Sequence, residues 1–193
     1  MTESLDEHMF VHQPAPLRSE PDDDSEQVSE LLPGEPLRVV ERRGAWALVE
    51  TAYDYRGWVS EAALGGDPDP AWLEPTPGAP LDHARTLLGV PYRWGGMTAH
   101  GIDCSGLVHM SFRAVGRLVP RDAADQEAAA RVVDEARPGD LVFYGVEDRA
   151  DHVAFWLGDG RILHASGREG VRRVLEEAEP HDLTARRRAV RRL

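Results

Sequence analysis

Gly101-Ile102-Asp103-Cys104-Ser105-Gly106-Leu107-Val108 is the stretch from which the fold of this chain is read. Asp103 and Ser105 are residues that cap helices, because a short polar side chain accepts an N–H that the first turn leaves unpaired. From Cys104 onward, Leu107, Val108, Ser111, Phe112 and Val115 share one face at helical spacing, and Gly116 ends the run. A helix starting at Cys104 sets its N–H groups and the positive end of its dipole beside the sulfur. Both favour thiolate over thiol, and the same N–H groups can hold an oxyanion. Cys104 is also the chain's single cysteine. A lone buried cysteine packed as a small hydrophobe is the alternative.

Downstream lie two histidines on segments that favour strands, His152-Val153 and Leu163-His164-Ala165. A thiol with two later histidines suits a nucleophile, its base and a residue that orients the base. The turn Gly158-Asp159-Gly160 joins the two segments. Centred on Asp159, it pairs Ala154 with His164 and puts His152, Ala154, Trp156, Ile162 and His164 on one face. His152 and His164 are then diagonal neighbours within hydrogen-bonding reach. A slip of one residue sends His164 to the other face. Two other readings stand beside this one. Cys104, His152 and His164 could be three zinc ligands, although a structural site usually needs four and the customary spacings are absent; or the histidines are ordinary half-buried residues. His8, His12, His83, His100, His109 and His181 read as structural or surface, and Trp46, Trp94 and Trp156 as core.

The rest of the second half supplies a helix over Leu81 to Leu88, a loop Tyr92-Arg93-Trp94-Gly95-Gly96, and a helix near Asp122 to Val132. After Pro138-Gly139-Asp140 come strands over 141–144, 152–157 and 161–165. Helices followed by an antiparallel sheet make an α+β layer. The first half instead shows short β-favouring runs at 37–40, 46–49 and 57–59, with turns at Arg43-Gly44 and Asp54, which suggests a small barrel. Between the halves, proline and glycine at 65–70 and again from Pro75 to Pro80 deny the chain regular structure. The expected organisation is a barrel over 1–66, a linker over 67–80 and a second domain over 81–193.

Residues 1–66 carry 14 Asp and Glu against 5 Arg, and the whole chain has a formal net charge of −12. Such a surface repels nucleic acid and anionic lipid or wall polymers. The arginines at 186–188 and 191–192 read as a solvated charged tail. No basic start followed by an apolar run opens the sequence, and no apolar run is long enough to span a bilayer. With one cysteine and so no internal disulfide, the expectation is a soluble cytoplasmic chain without membrane or nucleic-acid partners.

Taken in order, Tyr92 to Gly96, Asp103 to Val108, Pro120-Arg121-Asp122, Arg137 to Phe143, and His152-Val153 with His164-Ala165 resemble the NlpC-type cell-wall peptidases over about residues 81 to 180. Gly44-Ala45-Trp46 and Gly57-Trp58-Val59 resemble the bacterial SH3-like barrels often fused ahead of them. The resemblance implies a reduced papain-like fold, no cofactor and no metal. It implies hydrolysis of the bond between γ-D-glutamate and a diamino acid, usually meso-diaminopimelate. Cys104 is then the nucleophile, His152 the base and His164 the orienter, with the Tyr92 hydroxyl in the oxyanion hole.

The subgroup most like this chain trims free murein peptides that begin with L-Ala. There Asp103, helped by Ser105, Tyr55 and an acidic barrel residue matched to Glu20, would meet the substrate ammonium. Ala123 stands where that pattern often has Ser. The expected partner is the murein peptide L-Ala-γ-D-Glu-diaminopimelate. The alternatives are a general peptidoglycan hydrolase, a related thiol amidase or acyltransferase, and a peptide-binding SH3-like module with an inert second domain.

Overall fold

The computed structural model describes residues 8–193 and divides the chain into two compact units, one ending at Glu74 and one running from Pro75 to Leu193. The reading of the first residues as lacking a leader falls mainly on 1–7, outside the described residues. The described helices include none long and apolar enough to cross a membrane.

The first unit is all β, with strands β1 (His8–Met9), β2 (Ala15–Arg18), β3 (Gln27–Leu31), β4 (Leu37–Arg43), β5 (Trp46–Thr51) and β6 (Arg56–Ser60). They form one antiparallel sheet in the order β1-β4-β5-β6-β2-β3. In β5, burial alternates as the pleat demands, with Ala47, Val49 and Thr51 inside. They meet Leu17, Leu31, Leu37, Val39 and Val59 in an aliphatic core. Gly44 and Ala45 close the β4–β5 turn, and Gly44 holds a left-handed φ of 60°.

Residues 67–79 of the expected linker have no regular strand or α-helix, Pro80 opening the first helix of the second unit, yet the linker backbone is tied down. Asp69 N–H donates to Gly34 O within the first unit, and Thr76 donates to Ala114 O through both its amide and its hydroxyl within the second.

The second unit contains α1 (Pro80–Thr86), the short hairpin β7 (Met97–Thr98) and β8 (Gly101–Ile102), α2 (Cys104–Arg113), α3 (Ala123–Ala129), β9 (Arg131–Val132), β10 (Leu141–Tyr144), β11 (His152–Gly158), β12 (Arg161–Ser166), β13 (Arg173–Ala178), α4 (His181–Thr184) and β14 (Arg187–Arg192). Its main sheet is antiparallel in the order β13-β12-β11-β10-β14-β9. Every residue of β10 is buried, because both of its faces are covered. Leu141 and Phe143 join the core under α2 with Leu107, Val108, Phe112, Val153 and Phe155. Val142 and Tyr144 pack on the opposite face with Leu183 of α4.

Three readings need correction. The C-terminal arginines are no solvated tail: Arg187–Arg192 is β14, seated between β10 and β9 with Val142 opposite Val190. The backbone supplies its ladder, and the long Arg stems carry their charges out to carboxylates. Arg192 binds Asp140 at 2.5 and 2.8 Å, and Arg188 binds Glu127 at 3.0 and 3.1 Å. The helix near 122–132 ends at Ala129, and Arg131–Val132 pairs with β14 instead. Trp94 is not core, since 58% of it is exposed.

Candidate active site

Asp103 caps α2 in the way its sequence position suggests: its Oδ1 accepts the Gly106 N–H at 2.7 Å. The other oxygen accepts Gly95 N–H at 2.8 Å. Arg121, only 1% exposed, grips both oxygens, at 3.0 Å to Oδ1 and 2.7 Å to Oδ2. It also donates to Ser105 Oγ at 2.9 Å, while Gln126 Nε2 donates to the Ser105 and Pro120 carbonyls. Asp103 and Ser105 are therefore part of the frame that orients the first turn of α2, and the Asp103 charge is matched by Arg121. Gly106 lets that turn approach the preceding loop, since a Cβ there would lie 2.5 Å from Gly96 O.

Cys104, at the first position of α2, is 6% exposed. Burial first, and then the Asp103 carboxylate, push its thiol up to about 12; the N–H groups of Val153 and Ser105 and the Arg121 charge act the other way and are outweighed. Burial thus works against the thiolate that the helix terminus favours.

The contact with Val153 brings the sulfur to the start of β11, one residue from His152. The β11–β12 register pairs Phe155 with Leu163 and Trp156 with Ile162, as the turn centred on Asp159 requires. His152 Nε2 lies 2.8 Å from His164 Nδ1, with the rings edge to face at 79°. His164 is 1% exposed, and its Nε2 lies 3.0 Å from Glu177 Oε1 on β13. Arg168 Nη2 holds both oxygens of Glu177, at 3.1 and 2.9 Å. Burial lowers both imidazoles from the ordinary value, His152 down to about 3, while the Glu177 carboxylate acts the other way on His164. These directions favour the neutral thiol and neutral imidazoles.

Tyr92 packs its ring on Gly167, where a Cβ would sit 3.1 Å from Cε1 and Cζ. Its phenol is raised by burial and then by the neighbouring Cys104 and Asp103, which puts the hydroxyl in the electrostatic reach of the thiol. Tyr92, His152, His164, Ser166, Arg168 and Arg186 line a cleft of about 440 Å³. No three His, Cys, Asp or Glu side chains gather as a metal-binding group among the described residues. Tyr55 and Glu20 belong to the first unit. Tyr55 is half-buried, 6.5 Å from the Tyr53 ring, and Glu20 is exposed, its N–H on Ser25 Oγ.

Chemically, this is a buried thiol at a helix N-terminus, in contact with the strand whose preceding residue is an imidazole held by a second imidazole, with N–H donors and a phenol at hand. A family model described as the NlpC/P60 family matches residues 89–188. The chain belongs to the NlpC/P60 family. These are cysteine peptidases, and the NlpC/P60 unit here follows a region, residues 17–64, that matches the model described as the bacterial dipeptidyl-peptidase Sh3 domain. The chain is 42% identical over 84 residues to the gamma-D-glutamyl-L-lysine dipeptidyl-peptidase of Bacillus subtilis, covering 41% of this chain and 28% of that one. It is 43% identical over 105 residues to the peptidoglycan endopeptidase RipB of Mycobacterium tuberculosis, covering 47% and 43%. The chain thus spans less than half the length of these two relatives. In fold it is similar to an NlpC/P60 family protein from Bacillus cereus, with a TM-score of 0.57 at 24% identity over 96% of this chain and 62% of that one. The solved structure of RipB gives 0.51 at 30% identity over 67% and 73%.

The NlpC/P60 site has parts the sequence reading missed. Glu177 and Arg168 lie outside any motif, on β13 and the loop before it. Arg121 and Gln126 were visible only as part of a motif and a helix. The one signal for Glu177 is the charged pair Glu176-Glu177 between apolar residues, which asks for a polar partner on the sheet.

Proposed function

We propose that this chain is a cysteine endopeptidase that cleaves γ-D-glutamate from a diamino acid in free murein peptides beginning with L-Ala, for cell-wall peptide recycling in the cytoplasm. The observation that carries the reading is the His152–His164 bond at the end of the strand whose next residue contacts Cys104. The name of the B. subtilis relative and the description of the matched Sh3 domain support a γ-glutamyl substrate and a dipeptide-releasing cut.

In this mechanism Cys104 Sγ attacks the γ-glutamyl carbonyl carbon while its proton passes to His152 Nδ1, the ring atom left free by the bond to His164. A standing thiolate is unnecessary, because proton loss accompanies attack. The carbonyl electron pair moves to oxygen, held by N–H groups at the start of α2 and the Tyr92 hydroxyl. His152 then gives the proton to the leaving amine as the C–N bond breaks. Water, deprotonated by His152, hydrolyses the thioester and frees Cys104. Asp103 and Ser105 keep the nucleophile's turn in place, and Asp103, helped by Ser105, Tyr55 and Glu20, remains the proposed group for ammonium recognition.

Mass spectrometry on L-Ala-γ-D-Glu-meso-diaminopimelate, its N-acetylated form and whole sacculi tests the reading. Acetylation removes the ammonium and is expected to lower kcat/KM by about ten- to a hundredfold, the cost of leaving a charge-assisted bond unmade. A second reading, a general peptidoglycan hydrolase, has the match to RipB in its favour. Equal cleavage of all three substrates would select it. Cell fractionation tests the cytoplasmic location separately.

A further inference from the structure

His152, His164 and Glu177 form a diagonal across three strands. His164 stands opposite Leu175 on β13, so Glu177 is its diagonal neighbour there, as His152 is on β11. The links measure 2.8 and 3.0 Å. His164 therefore has a neighbour at each nitrogen and His152 has His164 at Nε2, and the question is which nitrogen carries the proton.

The carboxylate end decides. An ionised carboxylate has no proton to give, so His164 Nε2 must be the N–H. A neutral ring then has a bare Nδ1, which must accept from His152 Nε2–H. His152 in turn is left with a bare Nδ1. Arg168 donates to both Glu177 oxygens, which keeps the carboxylate aimed. We infer that Glu177 is a positioning residue that fixes the order of protons along His164 and His152, so that Nδ1 of His152 is always the atom free to take a proton. This rests on the peptidase reading only in making that proton the thiol's. The other charged groups facing the pair are Asp182 of α4 and Arg168 at His164, and Arg186 at His152. None of these is hydrogen-bonded to either ring, so none selects a nitrogen.

The assignment makes an unusual prediction for Glu177→Gln. Arg168 has only donors, so it keeps the amide oxygen and turns the NH2 toward His164. His164 Nε2 must then accept, its Nδ1 becomes N–H, and His152 becomes protonated on Nδ1. The shape is kept while the proton order reverses, which disables the base. Loss of the correct tautomer with intact geometry is known to be severe in the serine-protease triad.

Long-range 1H–15N correlation spectra of 15N-labelled protein at neutral pH read the tautomers directly. The wild type should show both rings protonated on Nε2, and Glu177→Gln should show both protonated on Nδ1. The second-order rate of Cys104 alkylation by iodoacetamide should fall about ten- to a hundredfold in the variant, with an unchanged melting temperature. A wild-type spectrum with either ring protonated on Nδ1 overturns the inference without any variant. So does a Glu177→Gln protein that keeps the wild-type tautomers and alkylates within twofold of the wild type. Both readouts need no peptide, so failure to cleave murein peptides would count against the substrate proposal alone.

Discussion

Arg121 holds Asp103 by two bonds of 2.7 and 3.0 Å, both residues buried beneath the turn that carries Cys104. The pair ties the Pro120-Arg121-Asp122 segment to the nucleophile although 18 positions separate the two residues. It also gives Asp103 a structural task beside the ammonium contact proposed for it, since this carboxylate pairs with a guanidinium and accepts two backbone N–H groups.

Arg121→Met should therefore leave a buried carboxylate without its cation. Breaking one side of such a pair costs about 3–5 kcal/mol. Urea unfolding should show this as a lower midpoint with an unchanged slope. A loss below about 1 kcal/mol would mean that solvent reaches Asp103.

Cys104→Ser should abolish hydrolysis while the melting temperature stays close to the wild type, because the hydroxyl is a far weaker nucleophile in a thiol site. In the wild type, iodoacetamide should label this one residue, and substrate peptide should slow the labelling. Residual turnover by purified Cys104→Ser would remove Cys104 from the chemistry.

His152→Ala should cost more in kcat than His164→Ala, since the first removes the proton acceptor and the second only its alignment. Single-turnover rates of the two variants on one peptide give the comparison. The reverse order would exchange their roles.

Stability should fall as the pH drops below the ordinary histidine range. His109 and His152 are both held down to about 3 by burial, so between about 6.5 and 3 the unfolded chain binds protons that the folded chain refuses. Each such group removes up to about 1.4 kcal/mol per pH unit as pH falls through that window, and neither contributes a slope above it. The paired Asp140, whose carboxyl is lowered chiefly by Arg192 and the Arg137 N–H against its burial, acts with the same sign nearer its own range. Melting temperatures from pH 7.5 to 5 should decline, and His109→Asn should flatten the decline. A level profile would show that the rings take up protons in the folded state.

The sequence by itself determined the α2 start at Cys104, the β11–β12 register and the meeting of the two histidines. Each is a short-range matter: a cap within three residues, or a two-stranded hairpin whose turn sets its pairing. It also marked the two halves by their change of period. Tertiary structure decided what depends on partners distant in the chain. Burial opposes the thiolate expected of Cys104, because the cost of desolvating a charge is set by everything packed around it and not by the helix alone. Arg187–Arg192 became an interior strand because β10 and β9 offered it two ladders and Asp140 and Glu127 took its charges. Glu177 reached His164 only because β13 pairs with β12, a contact between strands that no local pattern of residues 173–178 announces.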